Sequence, residues 1–386
     1  MGLKIGRGAA APPFLVMDVI RAANARAAAL APGAPGIIRM EVGQPGTGAP
    51  AGAREAARAA LASNDSLGYT EALGRPSLRA RIARHYAAWY GLALPDERVA
   101  VTMGASGAFP LAFLAAFDPG DRIALTAPFY PPYLNILTAL GLEPVVLETG
   151  PETRFQPNVA MLRALDPMPH GLIIASPCNP AGTMLHADEL ASIARYCDEA
   201  GIRLISDEIY HGLNYGTKIA TAAAFSKSAL VINSFSKYFS MTGWRVGWMV
   251  CPEDLLRPVE CLAQNLFISA PHIAQIAAEA AFDCADELTA NVARYRRSRD
   301  LLLARLPGAG FPKLSPAEGA FYLFADISER SNDSTAFASR MLAEAGIAVT
   351  PGVDFDRRRG HHFLRFSYCG PEEDMAEAAA RLARWR

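Results

Sequence analysis

Between residues 98 and 250, short β-rich runs alternate with helical stretches, and this alternation constrains the fold more than any other feature of the chain. The candidate strands are Arg98–Met103, Arg122–Thr126, Glu143–Leu147, Gly171–Ala175, Ile202–Ser206, Ala229–Ser234 and Arg245–Val250. Several are unbroken Val/Ile/Leu runs, the pattern of strands buried on both faces beneath helices. Leu111–Phe117 and Asp188–Ala200 have helical composition. The βαβ pattern predicts an α/β fold: a large domain built on a mostly parallel seven-stranded sheet flanked by helices. Sheets of this kind bind ligands beyond the carboxyl ends of their strands, so chemistry is expected there.

Past residue 270 the pattern changes. Pro271–Leu306 is Ala- and Arg-rich and reads as one or two long helices. Ala320–Ala325, Gly346–Thr350 and His362–Tyr368 are strand candidates around a helical Ser334–Ala345, together a smaller α+β domain. The N-terminal helix Pro13–Leu30 is expected to pack on it. The domain reading is therefore 45–280 for the large unit, with 1–44 and 281–386 forming the small one. Of the 386 residues, 51% are hydrophobic and 19% charged, enough apolar material to build both cores.

A net charge of −1 gives no electrostatic footprint for nucleic acid or an anionic membrane. Six cysteines without a C-x-x-C pair argue against a disulfide scaffold or structural zinc, and suit a reduced cytoplasm. No metal site is expected. The long uncharged runs 123–142 and 261–278 are interrupted by proline, asparagine, glutamine or histidine, so neither reads as a membrane span. Met1–Ala11 lacks the apolar stretch of a signal peptide. The chain reads as a soluble cytoplasmic protein.

Lysine is scarce: five lysines stand against 32 arginines. One of them, Lys237, lies just past the candidate strand 229–234, among small and aromatic residues. Desolvation there would favour the neutral amine, which Schiff-base chemistry requires. Arg245, eight residues on, could hold a phosphate in bidentate geometry. Gly104-Ala105-Ser106-Gly107 follows a strand and opens a helix, where backbone N–H groups favour an anion. Its spacing is not the G-x-G-x-x-G of dinucleotide sites. Asp207 follows the strand 202–206, at the ligand-binding edge of the sheet.

Ser234-Phe235-Ser236-Lys237, followed by Met241-Thr242-Gly243-Trp244-Arg245-Val246-Gly247, resembles the cofactor-lysine signature of class I aminotransferases. These are pyridoxal-phosphate enzymes of the aspartate-aminotransferase fold, fold type I. Further motifs recur in order over nearly the whole chain: Val42-Gly43-Gln44-Pro45, Tyr69 with Gly74, Gly104–Gly107, Pro128-Phe129-Tyr130, Asn179-Pro180-Ala181-Gly182, Asp207-Glu208-Ile209-Tyr210 and Leu364-Arg365-Phe366-Ser367. Ala181 departs from the threonine common in the family, a change that touches turn stability more than chemistry.

The resemblance implies pyridoxal 5′-phosphate as cofactor and Lys237 as its catalytic Schiff-base lysine. It implies that Asp207 pairs with the pyridine nitrogen, making the ring an electron sink, and that Tyr210 and Asn179 bond the ring's 3′-oxygen. Tyr130 would stack on the ring. Ala105, Ser106, Ser234 and Arg245 would hold the phosphate, joined by Tyr69 from a neighbouring subunit of a homodimer. Arg365 would clamp the substrate α-carboxylate, with Gly43 and Asn179 beside it. Glu208 needs no role beyond a cap, and Arg357-Arg358-Arg359 reads as a solvated loop.

The implied reaction is transfer of an amino group between an L-amino acid and a 2-oxo acid. Another fold type I reaction, by a C–S β-lyase, a decarboxylase or a cyclopropane-forming synthase, is the alternative. A DNA-binding regulator on this scaffold would need an added domain, and only about forty residues without a basic stripe precede Gly43. Ser106 stands where one aspartate-specific subgroup carries lysine. That weakens the case for a dedicated aspartate enzyme, although another arginine, including one from the partner subunit, could substitute. Phe14, Leu15 and Phe129 as pocket candidates would permit neutral or aromatic substrates.

Overall fold

The computed structural model describes residues 3–385. A two-residue strand, β1 (Ile38–Arg39), precedes the main sheet. That sheet comprises β2 (Val99–Thr102), β3 (Arg122–Ala127), β4 (Glu143–Glu148), β5 (Gly171–Ala175), β6 (Arg203–Asp207), β7 (Leu230–Ser234) and β8 (Gly247–Val250). Their order is β2-β8-β7-β6-β5-β3-β4. β8 runs antiparallel to β2 and β7, and the other neighbours pair in parallel. The mostly parallel seven-stranded sheet is as expected.

The unbroken apolar runs are explained by burial on both faces. Leu172 and Ile174 of β5, Leu204 of β6 and Val231 of β7 face one core, with Tyr86, Ile193 and Trp248. Their neighbours Ile173, Ile205, Leu230 and Ile232 face the other, with Phe109, Phe113 and Leu137. Side chains alternate across a strand, so an apolar residue is needed at each successive position.

Several boundaries differ from the sequence reading. Asp207 is the last residue of β6, in register with Ala175 and Ile232, instead of following the strand. Arg245 lies outside β8 because its φ of 55° is left-handed and cannot continue an extended chain. Residues 271–306 form two helices, His272–Ala281 and Ala285–Arg305.

The smaller unit has two sheets. β9 (Tyr322–Asp326), β11 (Thr350–Pro351) and β12 (Phe363–Ser367) form an antiparallel sheet, ordered β11-β12-β9, while β10 (Ile347–Ala348) pairs in parallel with β1. The single strand expected over 346–350 is thus divided, because the chain passes from one sheet to the other at buried Val349. Helix α1 (Leu15–Ala28) packs on this unit, burying Ala23 against Leu342 and Ala348. The triple arginine is not simply solvated. Arg359 pairs with Asp356 at 2.8 Å and donates to Thr149 O at 2.8 Å, pinning its loop to the large sheet. No helix among the described residues is long and apolar enough to cross a membrane.

The segment 315–320 ties the two sheet systems together. Gly319 N donates to Gly182 O (2.8 Å), Ala320 N to Leu213 O (2.8 Å) and Tyr215 N to Glu318 O (2.9 Å). Gly182 has φ +67°, and a Cβ there would lie 2.8 Å from Gly319 O. Gly182→Ala should therefore destabilise the protein by about 1–3 kcal/mol, through a strained φ and a backbone clash. Urea unfolding measures this, and a midpoint equal to wild type would contradict it.

Candidate active site

The carboxyl ends of the parallel strands converge on a cavity of about 700 Å³. Gly43, Ala105, Ser106, Tyr130, Asn179, Asp207, Tyr210, Lys237, Arg245 and Arg365 all line it. Most come from just beyond strand ends: Tyr130 after β3, Asn179 after β5, Asp207 closing β6, and Lys237 after β7. Arg365 comes from the middle of β12 in the smaller unit, so the cavity lies where the two sheet systems meet.

Lys237 is half-buried, and its Nζ donates to Gly43 O at 2.6 Å. The surrounding protein desolvates the amine, and Arg365 and Arg245 repel its proton; together these push its pKa down to about 8. Asp207 is buried. Its carboxylate accepts from the Tyr133 hydroxyl and, at 3.1 Å, from Ile209 N. Burial pushes its pKa up to about 6, a rise restrained by those two bonds and by Lys237. The neighbouring Glu208 serves other partners, accepting from Ala222 N at 2.8 Å and Ser206 Oγ at 3.1 Å.

At one end the cavity forms an anion cradle. The helix Gly104–Ala116 begins there, bringing free N–H groups and the positive end of its dipole. Gly104 has φ +68°, and a Cβ would lie 2.5 Å from Arg245 Nη2, so only glycine permits this approach. Arg245 is oriented by its 2.7 Å bond to Thr242 O. Ser236 lines this cavity and Ser234 does not. Ser234 is fully buried behind it, 2.9 Å from Ser236 Oγ and 3.2 Å from Val246 O.

At the smaller unit's side, Arg365 is only 2% exposed. It donates to Asn179 Oδ1 at 2.8 Å, to Thr350 Oγ1 at 3.1 Å and to Glu41 O, and its Nε has no partner. Its guanidinium lies between the rings of Tyr322 (4.5 Å) and Phe355 (4.7 Å). All these acceptors are neutral. Among the described residues, no carboxylate forms a salt bridge with Arg365, Arg245 or Lys237. Three cations therefore face one cavity in which Asp207 is the only acidic residue among the described lining, a field that favours small anions. The described residues contain no His/Cys/Asp/Glu group able to hold a metal ion.

Tyr322, Tyr133 and the α1 residues Val16, Met17 and Ile20 also line the cavity. Sequence reasoning missed them. Tyr322 OH lies 2.7 Å from Tyr210 OH, and its hydroxyl occupies the space a Cβ at Gly43 would need. Of the three pocket candidates, Phe14 lines the cavity. Leu15 and Phe129 do not; Phe129 is buried and tied to Phe355 O at 3.0 Å. Tyr69 lies outside the cavity and is 83% exposed.

A sequence profile described as aminotransferase class I and II matches residues 35–382. The chain belongs to this family. It is 47% identical to the valine–pyruvate aminotransferase of Mycobacterium tuberculosis, over 99% of this chain and 98% of that protein. It is 35% identical to the aspartate/prephenate aminotransferase of Thermus thermophilus, over 94% of each. A crystal structure of an aminotransferase from M. tuberculosis superposes with a TM-score of 0.97 at 46% identity, covering 100% of this chain and 99% of that one.

This aminotransferase accordingly uses pyridoxal 5′-phosphate to move an amino group between an amino acid and a 2-oxo acid. The cavity fits that cofactor. It offers an anion cradle for a phosphate, a buried carboxylate for a ring nitrogen, and an amine of lowered basicity for an aldehyde. Gly104→Ala should weaken pyridoxal-phosphate binding about ten-fold, by forcing Arg245 from the cradle. Equilibrium dialysis of the cofactor checks this; unchanged affinity would remove Gly104 from the cradle.

Proposed function

We propose that this aminotransferase acts on small neutral L-amino acids such as valine, with pyruvate or a similar 2-oxo acid as acceptor. The observation that carries the reading is Arg365, a buried cation bonded only to neutral acceptors, in the same cavity as Lys237. Leaving a charge buried without an ion pair is costly, and a substrate carboxylate would supply the missing partner. The planar fork suits a carboxylate, and Asn179 and the rings of Tyr322 and Phe355 hold it in orientation.

Two further observations support a neutral side chain. The cationic lining residues are Lys237, Arg245 and Arg365, each already matched to cofactor or α-carboxylate. The remaining wall, Phe14, Val16, Met17 and Ile20, is apolar. The M. tuberculosis relative, whose name carries valine and pyruvate, agrees with this class.

When bound, the cofactor supplies an electron sink for charge developing at the substrate's α-carbon. Asp207 would hold a proton on the ring nitrogen, kept in place by Tyr133 and the Ile209 amide. Tyr210 and Asn179 would bond the ring oxygen, and Tyr130 would cover the ring face. Ala105, Ser106, Ser236 and Arg245, which line the cavity, would hold the phosphate, and Ser234 behind them would orient Ser236 through its 2.9 Å hydroxyl bond in place of the direct contact the resemblance implied. Lys237 would hold the aldehyde carbon and, once released by substrate, carry the proton from the α-carbon to C4′ as base and then acid. Gly43 would lie beside the substrate carboxylate.

The assembly we propose is a homodimer in the cytoplasm, each subunit divided into residues 45–280 and 1–44 with 281–386. Tyr69, Leu266 and Ile268 are exposed apolar residues on neighbouring segments, joined where Gly68 O meets His272 Nδ1 at 3.0 Å. Such a patch suits a subunit contact that presents Tyr69 to the other active site. Six free cysteines agree with a reducing compartment.

Lys237→Ala should retain cofactor binding but lose turnover by about 10³-fold or more. A single wild-type turnover with valine should convert the bound cofactor to pyridoxamine phosphate and release the matching 2-oxo acid; valine consumed without pyridoxamine phosphate would overturn transamination. The lowered basicity of Lys237 sets a pH dependence of known sign. The neutral amine is the reactive form, so cofactor uptake by apoenzyme should rise with pH through about 8 and level off by roughly pH 9. A rate still climbing at roughly pH 10 would be that of an ordinary lysine.

A further inference from the structure

We infer that Asp354 is a positioning residue for substrate specificity: it fixes the first turn of α1 and with it the apolar wall that meets the substrate side chain. The inference rests on the proposed reading of the cavity as an amino-acid site clamped at Arg365.

Helix α1 begins without a local cap. The residue before it is Phe14, which has no side-chain acceptor, yet the opening turn of any helix presents unpaired N–H groups. Asp354 fills the gap from 339 positions away. Its Oδ1 accepts from Leu15 N at 2.9 Å and its Oδ2 from Val16 N at 3.1 Å. Both oxygens of a buried carboxylate are thus spent on the positive end of one helix.

The turn it holds is the one that faces the cavity. Phe14, Val16, Met17 and Ile20 contribute the apolar lining, and the ring of Phe14 meets Tyr130 edge-on at 5.8 Å. Met17 is 55% exposed, which places it at the cavity mouth. On its other side Asp354 adjoins Phe355, whose ring covers the Arg365 guanidinium. One short segment therefore connects the carboxylate clamp to the side-chain wall and sets the distance between them. An amino acid gripped at Arg365 is measured by whether its side chain reaches α1.

The test compares holoenzymes of wild type, Asp354→Ala and Asp354→Asn on L-alanine, L-valine and L-leucine with pyruvate or 2-oxoglutarate as acceptor. Alanine scarcely reaches the wall. Asp354→Ala should lower kcat/KM for valine and leucine about ten-fold more than for alanine, mainly through KM. Asp354→Asn keeps one good acceptor and should recover much of the difference. Hydrogen exchange gives a readout independent of turnover: amides of residues 15–20 should exchange faster in Asp354→Ala, with Ser334–Ala345 unchanged. Equal losses on all three amino acids, or unchanged exchange in α1, would overturn the inference. A wild-type enzyme inert on neutral amino acids would sink the proposed substrate class, and the exchange arm would still decide whether Asp354 holds the helix.

Discussion

The organisation of this protein follows from a single electrostatic problem, the housing of Lys237, Arg245 and Arg365 around one cavity with little acid to balance them. Buried cations are tolerated when their protons are donated and their charge is eventually met. Here the donations go to carbonyls, a hydroxyl and an amide oxygen: Thr242 O for Arg245, Gly43 O for Lys237, and Asn179, Thr350 and Glu41 for Arg365. These partners orient the cations without neutralising them. On the proposed reading the charge is met by the cofactor phosphate and the substrate carboxylate, and the one acidic residue among the described cavity lining, Asp207, is kept buried and oriented by Tyr133 and the Ile209 amide.

The architecture supplies what this arrangement needs. Parallel strands end on one edge, where helix N-termini and short loops can present polar groups while both faces of the sheet remain apolar. The smaller unit brings Arg365 on the central strand of its sheet, so its backbone is held by β pairing with Phe324 and Thr350 and its guanidinium by hydrogen bonds. The bond from Arg365 to Asn179 then crosses from one sheet system to the other.

Much of this was legible from residue order. The unbroken apolar runs identified the two-faced sheet, and the interval from Lys237 to Arg245 brought the amine and a second cation to one loop. What could not be read is long-range. Nothing local marks Tyr322 as a neighbour of Tyr210, because the contact joins residues 112 positions apart. Asp354 looks like a turn residue until its oxygens are seen on α1. Arg359 sits in a run that resembles solvated charge, yet its protons reach carbonyls of the large sheet. Ser234 and Ser236 are two apart on the chain, and only the packing around Val246 shows which of them is turned inward. The division of residues 346–350 between two sheets depends likewise on which strand edges are free to pair.

The wall on α1 differs in kind from the rest of the cavity. Asp207 and Arg365 are each held by several partners, and Lys237 and Arg245 each by one backbone carbonyl, the four being spread along the chain from Asp207 to Arg365. Phe14, Val16, Met17 and Ile20 all belong to the start of α1 and the residue before it, and on the proposed reading they meet only the part of an amino acid that varies. On that reading the invariant and variable halves of the substrate fall to different stretches of chain. A change of amino-acid preference would then need substitutions only within seven consecutive codons, leaving Lys237, Asp207, Arg245 and Arg365 as they are.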